Sequence, residues 1–209
     1  MRKSVFTILL LLAPELAPAA EPIALPKPHT TGGKPLMETL QLRQSGRAYS
    51  AEKLSPQVLS NLLWAGWGIN RPDGHRTAPT ANNRQALDVY AVMADGVYLY
   101  DAKANRLVPV ASEDARALTG SQDFVGRAPL NLVYVSDLAK EGGGSEADKL
   151  NYAFAHTGFV SQNVYLYCAS EGLATVVRAS VEKGALAKAM RLKDTQRITL
   201  VQTVGYPAK

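Results

Sequence analysis

Three short polar stretches hold the residues whose types and spacing suit ligand chemistry. In Arg43-Gln44-Ser45-Gly46-Arg47, positions 43, 45 and 47 share a face if the chain is extended. Arg43 and Arg47 converge at i, i+4 if it is helical. Either way two guanidiniums meet near a hydroxyl, and guanidinium grips phosphate oxygens bidentately. An ordinary solvated basic face is the plainer use of the same residues. In Pro79-Thr80-Ala81-Asn82-Asn83-Arg84-Gln85, amides and a hydroxyl lie on a loop feeding a strand. There they can donate to and accept from a heterocycle's polar edge, or serve turn chemistry alone. In Glu171-Gly172-Leu173-Ala174-Thr175, the glycine lets backbone N–H groups face a ligand closely, or caps a helix.

Other chemistries find little support. Cys168 is the only cysteine, so no internal disulfide can form. It lies in the apolar helical stretch VYLYCAS without a basic neighbour, as a buried small hydrophobe does. His29, His75 and His156 are far apart and lack ligand spacing, which argues against a structural metal.

The elements that must position these stretches follow from periodicity and turn signals. A helix is expected from Leu36 to about Gln44. A second begins at Ser55-Pro56, an N-cap followed by proline in the first turn, with Val58, Leu59, Leu62 and Leu63 at helical spacing. Residues 70–85 read as a loop. A meander follows: Asp88–Ala94, a type I′ turn at Asp95-Gly96, Val97–Asp101 and Arg106–Val110. Ser112–Thr119 reads as a short helix and Pro129–Ser136 as a mostly buried strand. The longest helix spans about Ser145 to Ser170, its inner stripe marked by Leu150, Ala153, Phe154, Thr157, Ser161, Val164, Tyr165 and Cys168. Gly158 within it suggests that another backbone comes close. Ala174–Ser180 is a candidate strand, Val181–Arg191 a helix and Arg197–Val204 the last strand. Hairpins outnumber βαβ units, so the fold class is α+β.

Residues 1–20 read as a secretory signal peptide: Arg2 and Lys3, an apolar run from Val5 to Ala13, then Ala17-Pro18-Ala19 before the cleavage point. The run is too short for a permanent membrane span, so a periplasmic or secreted location is expected. Residues 21–35, rich in Pro, Gly and Thr, read as a linker or surface arm, and 36–209 as one folded domain. The formal net charge of +5 becomes +4 when the leader takes away two cations and one anion. No basic run reaches five residues, which disfavours nucleic acid.

Taken in order, Arg43-x-Ser45-x-Arg47, Pro79-Thr80-Ala81-x-Asn83-x-Gln85, the GVYLYDAKANRLVPV hairpin, Gln162-Asn163, Gly172-Leu173 and Gly205-Tyr206-Pro207 resemble the nitroreductase family. The hairpin and closing GYP are similar to its SagB-type azoline dehydrogenase branch. The resemblance covers about residues 36–207. It implies a homodimer with a central mixed, mostly antiparallel sheet flanked by helices, and FMN at the dimer interface. Arg43, Ser45 and Arg47 would hold the phosphate and ribityl chain. Thr80, Asn83 and Gln85 would line the flavin from the partner subunit, and backbone groups at Glu171, Gly172 and Leu173 would face the redox-active ring edge. With the hydride chemistry on the flavin, no Ser/His/Asp or paired-carboxylate constellation is expected. The implied activity is ping-pong reduction of a nitro, quinone or similar conjugated small molecule. An azoline-type peptide dehydrogenase and a non-catalytic flavin or small-ligand binder are the alternatives. Thr80 stands where serine is commoner in the family, Ala174 where a second glycine is frequent, and the chain ends at Lys209 without a longer basic tail.

Overall fold

The computed structural model describes residues 21–208, so the expected signal peptide lies outside the described residues. A seven-stranded sheet forms the centre, in the order β1-β4-β3-β2-β5-β7-β6. Its strands are β1 (Ile23–Ala24), β2 (Leu87–Met93), β3 (Gly96–Asp101), β4 (Arg106–Ala111), β5 (Leu130–Asp137), β6 (Ala174–Arg178) and β7 (Gln196–Gly205). Every pairing is antiparallel, so the expected mostly antiparallel sheet contains no parallel pair among the described residues. Helices α1 (Leu36–Leu42), α2 (Pro56–Trp67), α3 (Glu146–Glu171) and α4 (Lys183–Ala189) complete an α+β architecture.

The alternating side chains of the central strands sort into two cores, as a period of two requires. Leu87, Val89 and Ala91 of β2, with Leu130, Leu132 and Tyr134 of β5, pack against Leu59, Leu62, Leu63, Val160 and Val164 of α2 and α3. On the opposite face Tyr90, Val92, Val133, Val135 and Val201 meet Leu186 and Met190 at α4. β5 is therefore buried on both faces.

Local chemistry fixes the helices that matter. The Ser55 hydroxyl accepts from the Val58 N–H and Pro56 opens α2, as Ser55-Pro56 predicts. Ser145 and Asp148 form a capping box at the start of α3, and Gly172 ends it in the left-handed conformation with φ 71°. Polar bonds tie α3 to the sheet: the Gln202 amide donates to the Ser161 carbonyl, and the Thr157 and Thr199 hydroxyls meet at 2.7 Å.

Four expectations need correction. The β2–β3 connection is Ala94-Asp95, because Met93 pairs with Gly96. Of these residues only Gly96 has positive φ, at 142°, whereas a type I′ turn needs it at both central positions. The glycine is required because its backbone presses on the Ala111 carbonyl, where a side chain would collide. The expected Ser112–Thr119 helix is a single 3₁₀ turn, Arg116–Thr119. Phe154 belongs to the outer face of α3 at 41% exposure, and His156 and Val160 take the inner places. Nothing lies within 4 Å of where a Gly158 side chain would begin, so no backbone approaches it within the protomer.

Residues 21–35 do not trail into solvent. Ile23 and Ala24 pair with Leu107 and Arg106 at the sheet edge, and the Pro26 carbonyl accepts from Ser60 and Asn105. α1 is unusual in the opposite sense. Of its seven residues only Thr39 is buried, while Leu36, Met37, Leu40 and Leu42 are exposed. No helix of the described residues is long and apolar enough to cross a membrane.

Candidate functional site

The arginine segment leaves α1 and runs beside the edge strand β6. The Gly46 N–H donates to the Thr175 carbonyl at 2.9 Å. A side chain at Gly46 would crowd Ala174, so the glycine lets the two backbones approach. The Ser45 hydroxyl meets the Tyr165 hydroxyl at 2.9 Å, and the same phenol accepts from the Val177 N–H at 2.9 Å. The Arg43 guanidinium lies over the Tyr165 ring, 5.4 Å from its centroid. Neither Arg43 nor Arg47 makes an ion pair among the described residues. Residues 206–208 close the strip from the other side, through Ser50 N–H to the Tyr206 carbonyl and Ala208 N–H to the Ala48 carbonyl.

The cation count here is higher than the sequence suggests. Arg178 on β6 is 8% exposed and has no carboxylate partner among the described residues. Its guanidinium donates to the Thr119 carbonyl, Gln122, Asn131 and Thr203, and Nε has no partner. Burial lowers its pKa from the usual arginine value. Neighbouring Tyr49, whose hydroxyl donates to the Gly46 carbonyl, has its pKa raised, chiefly by burial. The segment thus joins the half-buried guanidinium of Arg43, the exposed one of Arg47, a third behind β6 and a hydroxyl. This donor set fits a phosphate dianion.

The loop 79–85 is built differently. Asn82, Asn83 and Gln85 all have positive φ, at 52°, 53° and 48°. Asparagine tolerates that region, whereas glutamine there costs on the order of 1 kcal/mol. The loop holds this shape by using up its own polar groups. Thr80 Oγ1 accepts from the Gln85 N–H. The Gln85 amide donates to the Gly74 carbonyl and to Asn83 Oδ1, and accepts from Arg76 Nε at 2.7 Å. Arg76 in turn stacks 4.5 Å over Trp67 and donates to its carbonyl. The Ala81 N–H donates to Nε2 of buried His156 at 2.9 Å.

At the end of α3, the N–H groups of Gly172 and Leu173 both point to the Cys168 carbonyl. They act as a helix cap. Glu171 bonds Ser170 and lines a cleft of about 550 Å³ between the arm at 29–34, α2 and α3. Trp64 and Leu166 are among its apolar walls, with Asn61, Thr77, Asn163 and Tyr167 among the polar ones. Among the described residues the hydroxyls of Thr77 and Tyr167 are buried without a hydrogen-bond partner. The volume is in the usual range for small-molecule sites.

Within one protomer these stretches do not converge. The 79–85 loop is anchored on α3 at His156 and the arginine segment at Tyr165. Nine residues separate the anchors, about 14 Å of rise and about two and a half turns, so they lie on opposite flanks of the helix. The fold adds Tyr165, Arg178, Arg76 and His156 to the residues singled out from the sequence. Arg178 and His156 carried no local signal, since their partners are 25 or more and 15 or more residues away. Cys168 is buried and its thiol pKa is raised, mainly by burial. No group of three or more His, Cys, Asp or Glu suited to a metal occurs among the described residues.

Comparisons with known proteins agree with this architecture. The Nitroreductase family model matches residues 40–206. A Ralstonia eutropha protein of known crystal structure, described as a nitroreductase, is 39% identical, matches over 97% of each chain and superposes with a TM-score of 0.86. A Methanocaldococcus jannaschii protein classed as a nitroreductase is 27% identical over 169 residues, 76% of this chain and 85% of its own. A chain of the E. coli microcin synthetase complex shares the fold, with 21% identity, 97% and 79% coverage and a TM-score of 0.71.

Proposed function

The chain belongs to the nitroreductase family, and on that premise we propose that it is an exported, FMN-dependent oxidoreductase. It works as a homodimer and reduces a nitro, quinone or similar conjugated small molecule. The family and the fold support flavin oxidoreductase chemistry in general. The observation that carries the FMN reading is the pair Arg43 and Arg47, the first half-buried and the second exposed, beside β6 without a carboxylate and flanking the Ser45 hydroxyl. When bound, FMN supplies hydride transfer, with donor and acceptor using one ring face in turn.

The residues of this chain divide the binding work. Arg43 and Arg47 neutralise the phosphate, and Arg178 adds positive potential from behind the strand. Tyr165 fixes the Ser45 hydroxyl, which keeps further hydrogen-bonding capacity for the phosphate or ribityl chain. Thr80, Asn83 and Gln85 are too distant from this cluster in one protomer, so they serve the site of a second copy. The Gln85 amide is already committed within the loop, so it shapes the loop; Thr80 and Asn83 hold contact positions. Glu171 lines the cleft beside the arm, which admits the acceptor, and Gly172 and Leu173 follow it in the chain as the cap of α3. The apolar faces of α1 (Leu36, Met37, Leu40) and α3 (Tyr152, Phe154, Phe159) are what a homodimer would cover. The leader at 1–20 directs the chain to the periplasm or outside.

A peptide substrate is the second reading. It is favoured by the fold shared with a chain of the microcin synthetase complex and by the polar wall of the cleft.

Flavin released on denaturing the mature protein, together with turnover of a nitroaromatic or quinone after adding a reductant, is the expected result. Colourless protein that gains no flavin on incubation with FMN would end both enzyme readings. Bound flavin without turnover of small acceptors would favour the peptide reading or a non-catalytic binder.

A further inference from the structure

We propose that His156, held by Glu141, is a positioning residue that keeps the 80–85 loop in its ligand-facing shape. This rests on the reading that the loop lines bound FMN.

Both residues are buried, His156 at 2% and Glu141 at 5% exposure. Glu141 Oε1 accepts from the Ser136 hydroxyl at 2.9 Å and lies 3.3 Å from His156 Nδ1. On the far side of the ring, the Ala81 N–H donates to Nε2. A nitrogen that accepts from an N–H carries no proton, so the neutral ring must hold its proton on Nδ1, facing the carboxylate. The relay therefore runs from Ser136 through Glu141 and His156 to Ala81.

Ala81 opens the 3₁₀ turn in which Asn82 and Asn83 have positive φ, with Gln85 following. Such a turn persists only where its surroundings over-determine it. Thr80 and Asn83 bond within the loop. The Gln85–Arg76 bond holds its exit, and His156 grips its entry from α3. The titratable groups against the pair are Glu141 from the β5–α3 connection, Arg84 of the loop, whose guanidinium lies over Gly142, and Tyr152, stacked on the ring from α3. In the dimer, one protomer's α3 would thus set the flavin affinity of the site its loop completes.

The test is FMN binding by the mature dimer at neutral pH, for wild type, His156→Gln and His156→Leu. Glutamine can accept from Ala81 and donate to Glu141, whereas leucine can do neither. H156Q should bind like wild type and H156L about tenfold more weakly. H156Q binding as weakly as H156L would overturn the proposal, as would H156L binding at full strength. If H156L fails to fold, Ala81→Pro, which removes the donor from the loop side, takes its place with the same expected loss. Wild-type protein that binds no FMN would instead remove the FMN reading on which this rests.

Discussion

The arginine segment and the 79–85 loop are both short and polar, yet they use their polar groups in opposite ways. At 43–47 the backbone is fastened by Gly46 and the hydroxyl by Tyr165, while the two guanidiniums have no carboxylate among the described residues. At 79–85 the amide of Gln85 is fully engaged, and Arg76 and His156 anchor the loop to the core. Unpaired charge suits recognition of an anion. Satisfied polar groups suit the maintenance of a shape. A sequence motif of polar residues does not distinguish the two uses; their partners do.

The largest effect should come from separating the regions. If they complete one site only across two copies, charge on the outer face of α1 keeps them apart. Burying a leucine or methionine contributes about 1.5–3 kcal/mol, so Met37→Glu with Leu40→Glu should yield a folded monomer with no measurable FMN. A monomer that binds FMN at full strength would sink the two-copy site. Next comes the recognition side. Arg47→Ala should weaken FMN by about 1.5–3 kcal/mol, the loss of a charge-assisted bond, with thermal stability unchanged because the side chain holds nothing in the fold. Undiminished affinity would remove Arg47 from the phosphate site.

The loop should answer in the reverse sense. Gln85→Leu strands Arg76 Nε and the Gly74 carbonyl, costing about 2 kcal/mol of stability. FMN affinity should drop less than it does in Arg47→Ala. Equal losses in binding would mean that Gln85 touches the ligand. Ser45→Ala should be milder, about 1 kcal/mol in FMN binding, with little change in melting temperature.

The smallest effect concerns pH. Asp88, just beyond the loop, has its pKa raised from the usual carboxylate value, chiefly by burial. Its folded pKa thus exceeds its unfolded one, so the folded state binds the proton more tightly. Stability falls as pH rises from the unfolded value through the folded one. Asp88→Asn should therefore melt slightly higher than wild type near neutrality, and the advantage should shrink on acidification. An advantage independent of pH would assign the effect to packing.

Much of the fold was legible because its signals are local. Ser55-Pro56 marks a helix start whatever lies elsewhere, and the apolar run ending at Asp95-Gly96 places a strand at Asp88–Ala94, one residue from the observed Leu87–Met93. Errors came where a distant neighbour decided. Asp95-Gly96 looks like a turn, but the Ala111 carbonyl on β4 makes Gly96 part of the strand. Phe154 has helical spacing to Thr157 and Ser161, yet it is exposed, while Ala153, His156 and Val160 are buried. In the site, residue types were legible and their state was not. Arg43 and Gln85 look equally available until Arg76 is found against one of them. His156 was dismissed as a metal ligand for lack of spacing, and its two partners, Glu141 and Ala81, lie far off in sequence.

The strand order also sets a timetable. A chain emerging from the ribosome can form the β2–β3–β4 meander and add β5 while still growing. β6, however, pairs in the sheet only with β7, the last strand to be made. The arginine segment leans on β6 through Gly46 and Tyr165, so its geometry cannot exist before β7 has inserted. If the segment captures an anion as proposed, that capture is a post-translational event, closed to any nascent intermediate. A chain carried across a membrane unfolded would have to find its phosphate ligand on the far side.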